Sequence, residues 1–522
     1  MNTKILSTSE YDIELAGEII RSGGLVAFPT ETVYGLGANA LNEEAVKSTY
    51  TAKGRPNDNP LIVHIAEKED IIPLVEEVTP KAQALIDAFF PAPLTIILKK
   101  SELISSAVSG GLDTVAVRMP LNEVARKLIK ASGCPVSAPS ANTSGLPSPT
   151  KAKYVIDDMM GKIDAIIDGG DCEFGVESTV ITLASAVPTI LRPGAITKEM
   201  LEEVIGEVEV DPAVLEGMKN DEVAASPGMK YKHYSPKARV VIVNADKEKY
   251  ERFVNAQKNA FALCFDGDNV TIPKLTYGRE NDGLSQAREL FDALRQLDEL
   301  GAKKVYARIP STEGVGMAVF NRLIRASAFT VIDLEKPFTI GLTGPMGAGK
   351  SYVCEEFRKR GFKIVNADEC ARRLAEKDSP LLPMLCGEFG NDIIENGELN
   401  RKLLAERAFS SKERTERLNK IMFPSIMKLC EEEADGLTVF DAPQLFEANA
   451  QDKCYKIISV LADKETRIER IMKRDGSSRE EIIKRMKIQL SDAFFADNSD
   501  YLIHNNKENI SQQIDNILEV IL

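Results

Sequence analysis

Apolar and polar positions along this chain follow two rhythms. Short apolar, β-branched runs such as "GGLVAF" (23–28), "DTVAVRM" (113–119), "RVVIVNA" (239–245) and "FTIGLT" (338–343) read as strands. Between them lie amphipathic stretches with helical spacing, such as "YVCEEFRKR" and "TRIERIMKR". Runs of period two alternating with runs of period 3.6 predict α/β domains. The rhythm fails twice. At "DEVAASPGMKYKHYSPKA" (221–238) Ser, Pro and Gly punctuate a segment without apolar periodicity, and "DLEKP" (333–337) is a second, shorter break. The expected organisation is an α/β domain over 1–205, a linker over 206–238, a small Rossmann-like βαβ domain over 239–335, and a parallel-sheet domain over 336–522.

Composition changes this picture little. With 522 residues, 43% hydrophobic and 28% charged, the chain is long enough for several cores and ordinary for globular protein. Its net charge of −14 argues against a broad electrostatic grip on nucleic acid. The eight cysteines are scattered without a C-x-x-C pair, which excludes a disulfide framework and fits reduced thiols. With no signal-like start and no apolar run of membrane-spanning length, a cytoplasmic location is expected.

The strand "FTIGLT" runs into "GPMGAGKS" (Gly344–Ser351) and then a helix with Val353 and Phe357 one turn apart. Strand, glycine loop and helix in that order form a phosphate cradle, because glycines let backbone N–H groups converge on phosphate oxygens at the positive helix end. Lys350 is placed to reach the β- and γ-phosphates and Ser351 to hold Mg²⁺. "FKIVNADECARRL" then puts Asp368 at the carboxyl edge of the next strand, where a base for a substrate hydroxyl is useful. Arg467, Arg470 and Arg474 recur at helical spacing, either as a lid on phosphates or as an exposed basic stripe.

With "NADECAR", "EFGNDIIENGELNRKLL", "PQLFE" and "SDYLIHNN", this last third resembles dephospho-coenzyme A kinase. The resemblance implies ATP contacts from Gly347, Ala348, Gly349, Lys350, Ser351 and Tyr352, and Asp368 as the base for the ribose 3′-hydroxyl of dephospho-CoA. It also implies that Glu447, Arg470 and Arg474 hold substrate or phosphates. Asn366, Phe423, Pro345, Gln444 and Tyr352 depart from the family pattern.

In the first unit, "KGRPNDNPLIVHI" carries Lys53 and Arg55 on a turn before a strand with His64. Two cations on a rigid turn suit a triphosphate, and Arg118 on an apolar strand calls for an anionic partner. "SAPSANTSGLPSPT" (137–150) is dense in hydroxyls and carries no helix signal, while "GVESTVI" and "ILRPGAI" bring in Ser178 and Arg192. Together with "SPGMKYKHYSP" and "ARIPSTEGVGMAVFNRLIRAS", residues 10–333 resemble the threonylcarbamoyl-AMP synthase family, a YrdC-like domain with a smaller C-terminal domain.

That resemblance implies joining of L-threonine, bicarbonate and ATP, with release of pyrophosphate, for tRNA modification. It implies ATP contacts from Arg55, Asn59, Thr114, Ser140, Ser148, Arg192 and Tyr231, and a threonine site of Thr32, His64, Arg118, Ala138 and Ser178. Lys53 would face the phosphates or the carbamate, Mg²⁺ would assist, and "SPGMKYKHY" would close as a lid. Downstream tRNA-modification proteins are the implied partners. The rival reading is an RNA-binding YrdC-like module fused to a different or degenerate P-loop kinase. The acidic net charge and the lack of aromatic–basic interleaving stand against it.

Overall fold

The computed structural model describes residues 2–56, 59–216, 234–336, 338–376, 379–395, 398–506 and 509–521. The chain forms two compact units, Met1–Val243 with Asn259–Val331, and Asn244–Lys258 with Ile332–Leu522.

The first unit opens with eleven strands: β1 (Lys4–Leu6), β2 (Val26–Phe28), β3 (Gly35–Asn39), β4 (Ile62–His64), β5 (Leu94–Lys99), β6 (Thr114–Arg118), β7 (Val136–Ser137), β8 (Ala165–Ile167), β9 (Thr179–Thr182), β10 (Thr189–Arg192) and β11 (Glu209–Val210). They form one mixed sheet in the order β1-β8-β2-β3-β7-β4-β6-β5-β9-β10-β11. Both faces are covered, which explains why "LVAF" is an unbroken apolar run. Val26 and Phe28 enter one core with Ile13, Ile20 and Leu128, while Leu25 and Ala27 enter the opposite core with Tyr34, Leu36 and Val155.

Most of residues 239–333 continue the same unit as a βαβ domain, with Asn244–Lys258 grouped in the second unit. Strands β12 (Arg239–Asn244), β13 (Phe261–Asp266), β14 (Lys274–Arg279) and β15 (Lys304–Arg308) are parallel in the order β14-β13-β15-β12, with β16 (Val331–Asp333) beyond β12. Helices Gly283–Glu299 and Gly314–Ala326 lay Leu290, Leu294, Val319 and Leu323 on this sheet. Val33 and Val176 belong to the same cluster, so the two domains share apolar packing within one unit.

In the second unit β17 (Phe338–Thr343), β18 (Lys363–Asn366), β21 (Leu437–Asp441), β22 (Lys456–Leu461) and β23 (Tyr501–His504) form a wholly parallel sheet, order β18-β21-β17-β22-β23. A small ribbon of β19 (Ile394–Glu395) and β20 (Glu398–Leu399) lies outside it. Ligands of such sheets sit at the carboxyl ends of the strands, and here β17 ends at the glycine loop. Among the described residues no helix is long and apolar enough to cross a membrane.

Candidate active sites

In the first unit the helix Glu43–Lys53 ends on Gly54 at φ 63°, a conformation that strains any side chain but glycine's. The turn delivers Lys53 and Arg55 to a cavity that His64, Arg118 and Arg192 also line. Lys53 is buried, and its ammonium donates to the carbonyl of Asn142 at 2.7 Å and to that of Ser140. Burial, reinforced by the Arg55 charge, holds its pKa well below the usual lysine range. Lys53 thus clamps the hydroxyl-rich segment as well as lining the cavity. Ser140 Oγ donates to Asn142 Oδ1 at 2.6 Å, and Asn142 Nδ2 reaches the carbonyls of Thr143 and Leu146, both at 2.9 Å. Past β7 the segment is a loop, as expected, and Ala138, Ser140 and Ser148 all line the cavity.

Strands β4 and β6 run side by side with His64 opposite Arg118, so both reach the cavity at one edge. Arg118 Nη2 donates to Glu31 Oε1 at 2.7 Å and to Thr32 Oγ1 at 3.0 Å. This is the anion that its place on an apolar strand required. Arg118 Nε has no partner among the described residues. His64 Nδ1 lies 3.2 Å from the Ile62 carbonyl, and burial with the Arg118 charge pushes its pKa down to about 3, so the ring is neutral at physiological pH. Arg192, at the end of β10, donates through Nε to the Ser178 carbonyl at 3.0 Å and through Nη2 to Ser178 Oγ at 3.1 Å. Burial pushes its pKa down to about 10.

Thr32 and Ser178 therefore stand behind the lining, each one hydrogen bond from an arginine that faces the cavity. Asn59 is buried beside it with Oδ1 unpartnered among the described residues. Thr114 does not line this cavity; it starts β6, opposite Lys99, at the far end of the strand from Arg118. Tyr231 and most of the expected lid lie outside the described residues. Its last aromatic, Tyr234, is buried, lines the cavity and packs on Phe291 with ring centroids 5.1 Å apart. Sequence reasoning passed over Glu31, Asn142 and Glu177. Glu31 was the available signal, a carboxylate inside "PTETVYG" for the strand arginine to meet.

The second unit places its cradle as the motif predicts. Gly349 has φ 93°, and a Cβ there would stand 2.2 Å from Asn505 Nδ2. Lys350 begins the helix Lys350–Arg358, two residues before the expected start at Tyr352, and donates to the Gly344 carbonyl at 3.0 Å. Burial lowers its pKa, with Asp441 and Asp368 pulling the other way. Asp441, closing β21, accepts from Asn366 Nδ2 at 2.9 Å through Oδ2, while Oδ1 has no hydrogen-bond partner among the described residues. Burial raises its pKa.

Asn366 also caps the helix Ala367–Arg373 by accepting from Glu369 N at 2.9 Å. An aspartate there could cap but could not donate to Asp441, so this departure from the family pattern has a structural use. Asp368 lies in the first turn of that helix and lines a cavity with Phe423, Met427, Gln444 and Leu445. Glu447 lines an adjoining groove that shares Phe423 and Met427.

The arginine stripe divides. Arg470 Nη1 donates to the Ala348 carbonyl at 3.2 Å and Nη2 to the Asn505 carbonyl at 2.9 Å, bracing the loop from below. Asn505 Nδ2 donates to the Ala348 carbonyl at 2.8 Å. Arg474 pairs with its neighbour Asp475 at 2.6 Å and is exposed, and Arg467 pairs with Asp492 at 3.2 Å. Ala348 is buried; Ser351 and Tyr352 are exposed at the start of the helix. Asn505, inside the quoted "SDYLIHNN", is the loop contact that was missed.

Comparison with known proteins finds relatives of both parts of the chain. A family model described as telomere recombination (Sua5/YciO/YrdC) covers residues 18–194, one for the threonylcarbamoyl-AMP synthase C-terminal domain covers 196–328, and one for dephospho-CoA kinase covers 338–511. Threonylcarbamoyl-AMP synthase of Pyrococcus abyssi is 48% identical over 330 residues, 62% of this chain and 96% of the relative. Dephospho-CoA kinase of Fusobacterium nucleatum is 36% identical over 189 residues, 35% of this chain and 97% of the relative. The crystal structure of P. abyssi Sua5 complexed with L-threonine superposes with a TM-score of 0.61 at 46% identity, covering 63% of this chain and 99% of that one. The chain therefore belongs to two families at once, the threonylcarbamoyl-AMP synthases through its first two domains and the dephospho-CoA kinases through its last.

Proposed function

We propose that this chain is a bifunctional enzyme with two independent ATP sites. The first condenses the amine of L-threonine with bicarbonate to a carbamate, releasing water. The carbamate oxygen then attacks the α-phosphorus of ATP, and pyrophosphate leaves with the electron pair of the broken P–O bond. Arg118 receives the threonine carboxylate beside neutral His64. Arg55 and Arg192 face the phosphates and balance the charge that grows on them, which is where such a reaction gains most. The carrying observation is that Arg118, whose Nε is unpartnered among the described residues, shares one cavity with Arg55, Arg192 and the clamped hydroxyl-rich loop. The test is formation of threonylcarbamoyl-AMP from labelled threonine, bicarbonate and ATP. Arg118→Ala should raise the KM for threonine by about 100-fold or more, the scale of a charge-assisted bidentate contact. Activity without a threonine requirement would dispose of the reading.

The second site phosphorylates the ribose 3′-hydroxyl of dephospho-CoA. Asp368 takes the hydroxyl proton, and Lys350 steadies the phosphates on the glycine loop. Support comes from Asp368 lining a pocket beside a cradle whose lysine feels both Asp368 and Asp441. A divalent cation fits here: Asp441 Oδ1 is a buried carboxylate oxygen without a hydrogen-bond partner among the described residues, and Ser351 opens the helix at the loop. Ser351 and Asp441 would hold Mg²⁺, which neutralises phosphate charge when bound. The same ion would accompany ATP at the first site. Asp368→Asn should abolish phosphorylation of dephospho-CoA while ATP still binds; retained turnover would remove Asp368 from the role of base. Eight free thiols support a reducing, cytoplasmic setting.

A further inference from the structure

We infer that Arg295 and Arg322 of the βαβ domain are positioning residues of the threonylcarbamoyl-AMP site, and that Arg322 acts by occupying the Glu177 carboxylate that shares the cavity with Arg192. The inference rests on the reading of the first cavity given above.

Both arginines leave their own domain. Arg322, on the helix Gly314–Ala326, has a fully buried side chain, and among the described residues all but one of its hydrogen bonds reach the first domain. Nε meets Glu177 Oε2 at 3.0 Å, Nη1 the Pro193 carbonyl at 2.6 Å and Nη2 the Glu177 carbonyl at 3.2 Å. Arg295, on the helix Gly283–Glu299, donates to the Pro147 carbonyl through Nη2 at 2.6 Å and Nε at 3.0 Å, and to Asp158 Oδ2 at 2.8 Å. That carboxylate in turn accepts from Thr143 N at 3.2 Å. The hydroxyl-rich loop is thus gripped by Lys53 from one side and by Arg295 from the other. Gly175 shows how closely the domains meet: a Cβ there would lie 2.5 Å from the Ala287 carbonyl oxygen.

Glu177 is the reason Arg322 matters to chemistry. It lines the same cavity as Arg192 and Arg55, where polyphosphate is expected. A carboxylate in that place repels the ligand and competes for Arg192. Both of its oxygens are occupied instead, Oε2 by Arg322 and Oε1 by Ser148 Oγ at 2.6 Å. Arg322 also takes the carbonyl of Pro193, the residue after Arg192, so it sets the backbone that aims that arginine. Removing one partner of a buried ion pair leaves the other uncompensated, and here the survivor would be a negative charge in a phosphate pocket.

The test uses the full chain, with Lys350→Ala silencing the second ATP site, and reads two signals: binding of a non-hydrolysable ATP analogue by calorimetry and threonine-dependent pyrophosphate release. Arg322→Met should weaken the analogue about 10- to 100-fold, the usual penalty for an unpaired buried charge at a binding site, with a smaller change in the KM for threonine. Adding Glu177→Gln removes the stranded charge and should restore binding to within about threefold of the parent. Should Arg322→Met not fold, Arg322→Lys keeps the charge without the fork and should weaken the analogue about 3- to 10-fold. Analogue affinity within twofold of the parent in a folded Arg322 variant, or no recovery in the double variant, would overturn the inference. If the parent binds the analogue but shows no threonine dependence, the functional reading fails while the Arg322–Glu177 comparison still stands on binding.

Discussion

Glu31→Gln is the sharpest probe of how the first cavity is built. Glu31 Oε1 lies 2.7 Å from Arg118 Nη2, with side chains only 2% and 5% exposed. At that separation the attraction is about 6 kcal/mol for an effective dielectric constant of about 20. Much of it offsets the desolvation of the two ions, and glutamine keeps a neutral acceptor at the same place. The net loss should therefore be about 2–3 kcal/mol, the worth of a hydrogen bond to a charged group and below the full cost of deleting one partner. In a unit this large that lowers the unfolding temperature by about 3–5 °C. Arg118 meanwhile loses its internal anion, so a carboxylate ligand should bind at least as well as before. Thermal unfolding of the first unit, followed with and without threonine, measures both effects: a lower baseline and an undiminished threonine-induced rise. If threonine binding collapsed while the baseline held, Glu31 would be contacting substrate itself and the view of it as an internal counter-ion to Arg118 would be wrong.

Three further outcomes follow from the geometry. Gly349→Ala sets a methyl group 2.2 Å from Asn505 Nδ2 at φ 93°, so phosphorylation of dephospho-CoA should fall at least about 100-fold with pyrophosphate release unchanged; equal loss of both would mean the sites are coupled. Lys350→Ala should likewise silence only the kinase, and calorimetry should then count one bound ATP analogue instead of two. For His64, the folded pKa of about 3 lies below the unfolded value near 6.5. The unfolded chain thus binds the extra proton first, and stability is lost as pH falls from about 6.5 towards 3, by up to about 1.4 kcal/mol per pH unit. His64→Gln should flatten that slope in urea titrations, and an unchanged slope would contradict a buried neutral ring.

Much was legible from residue order alone, because period and punctuation are local. The strand runs, the glycine loop with its lysine and serine, and the placing of Asp368 at a strand's carboxyl edge depend on neighbours within a few positions, and each stands where those neighbours imply. The turn carrying Lys53 and Arg55 and the helix-free loop after β7 are of the same kind.

What residue order could not settle was which distant groups would meet. Arg118 demanded an anion, but only folding chose Glu31, 87 positions away. Lys53 read as a phosphate contact, yet its donors also go to two loop carbonyls that the sheet brings within reach. Arg470 and Arg474 looked alike on one helix face, and packing gave one the glycine loop and the other its neighbour Asp475. The βαβ domain showed no chemistry in its own residues, because its contribution is made through Arg295 and Arg322 after they cross into another domain. Local order decides which groups a segment can offer; long-range burial decides which of them must be paired, since an ion taken out of water has to find its partner wherever the fold has put one.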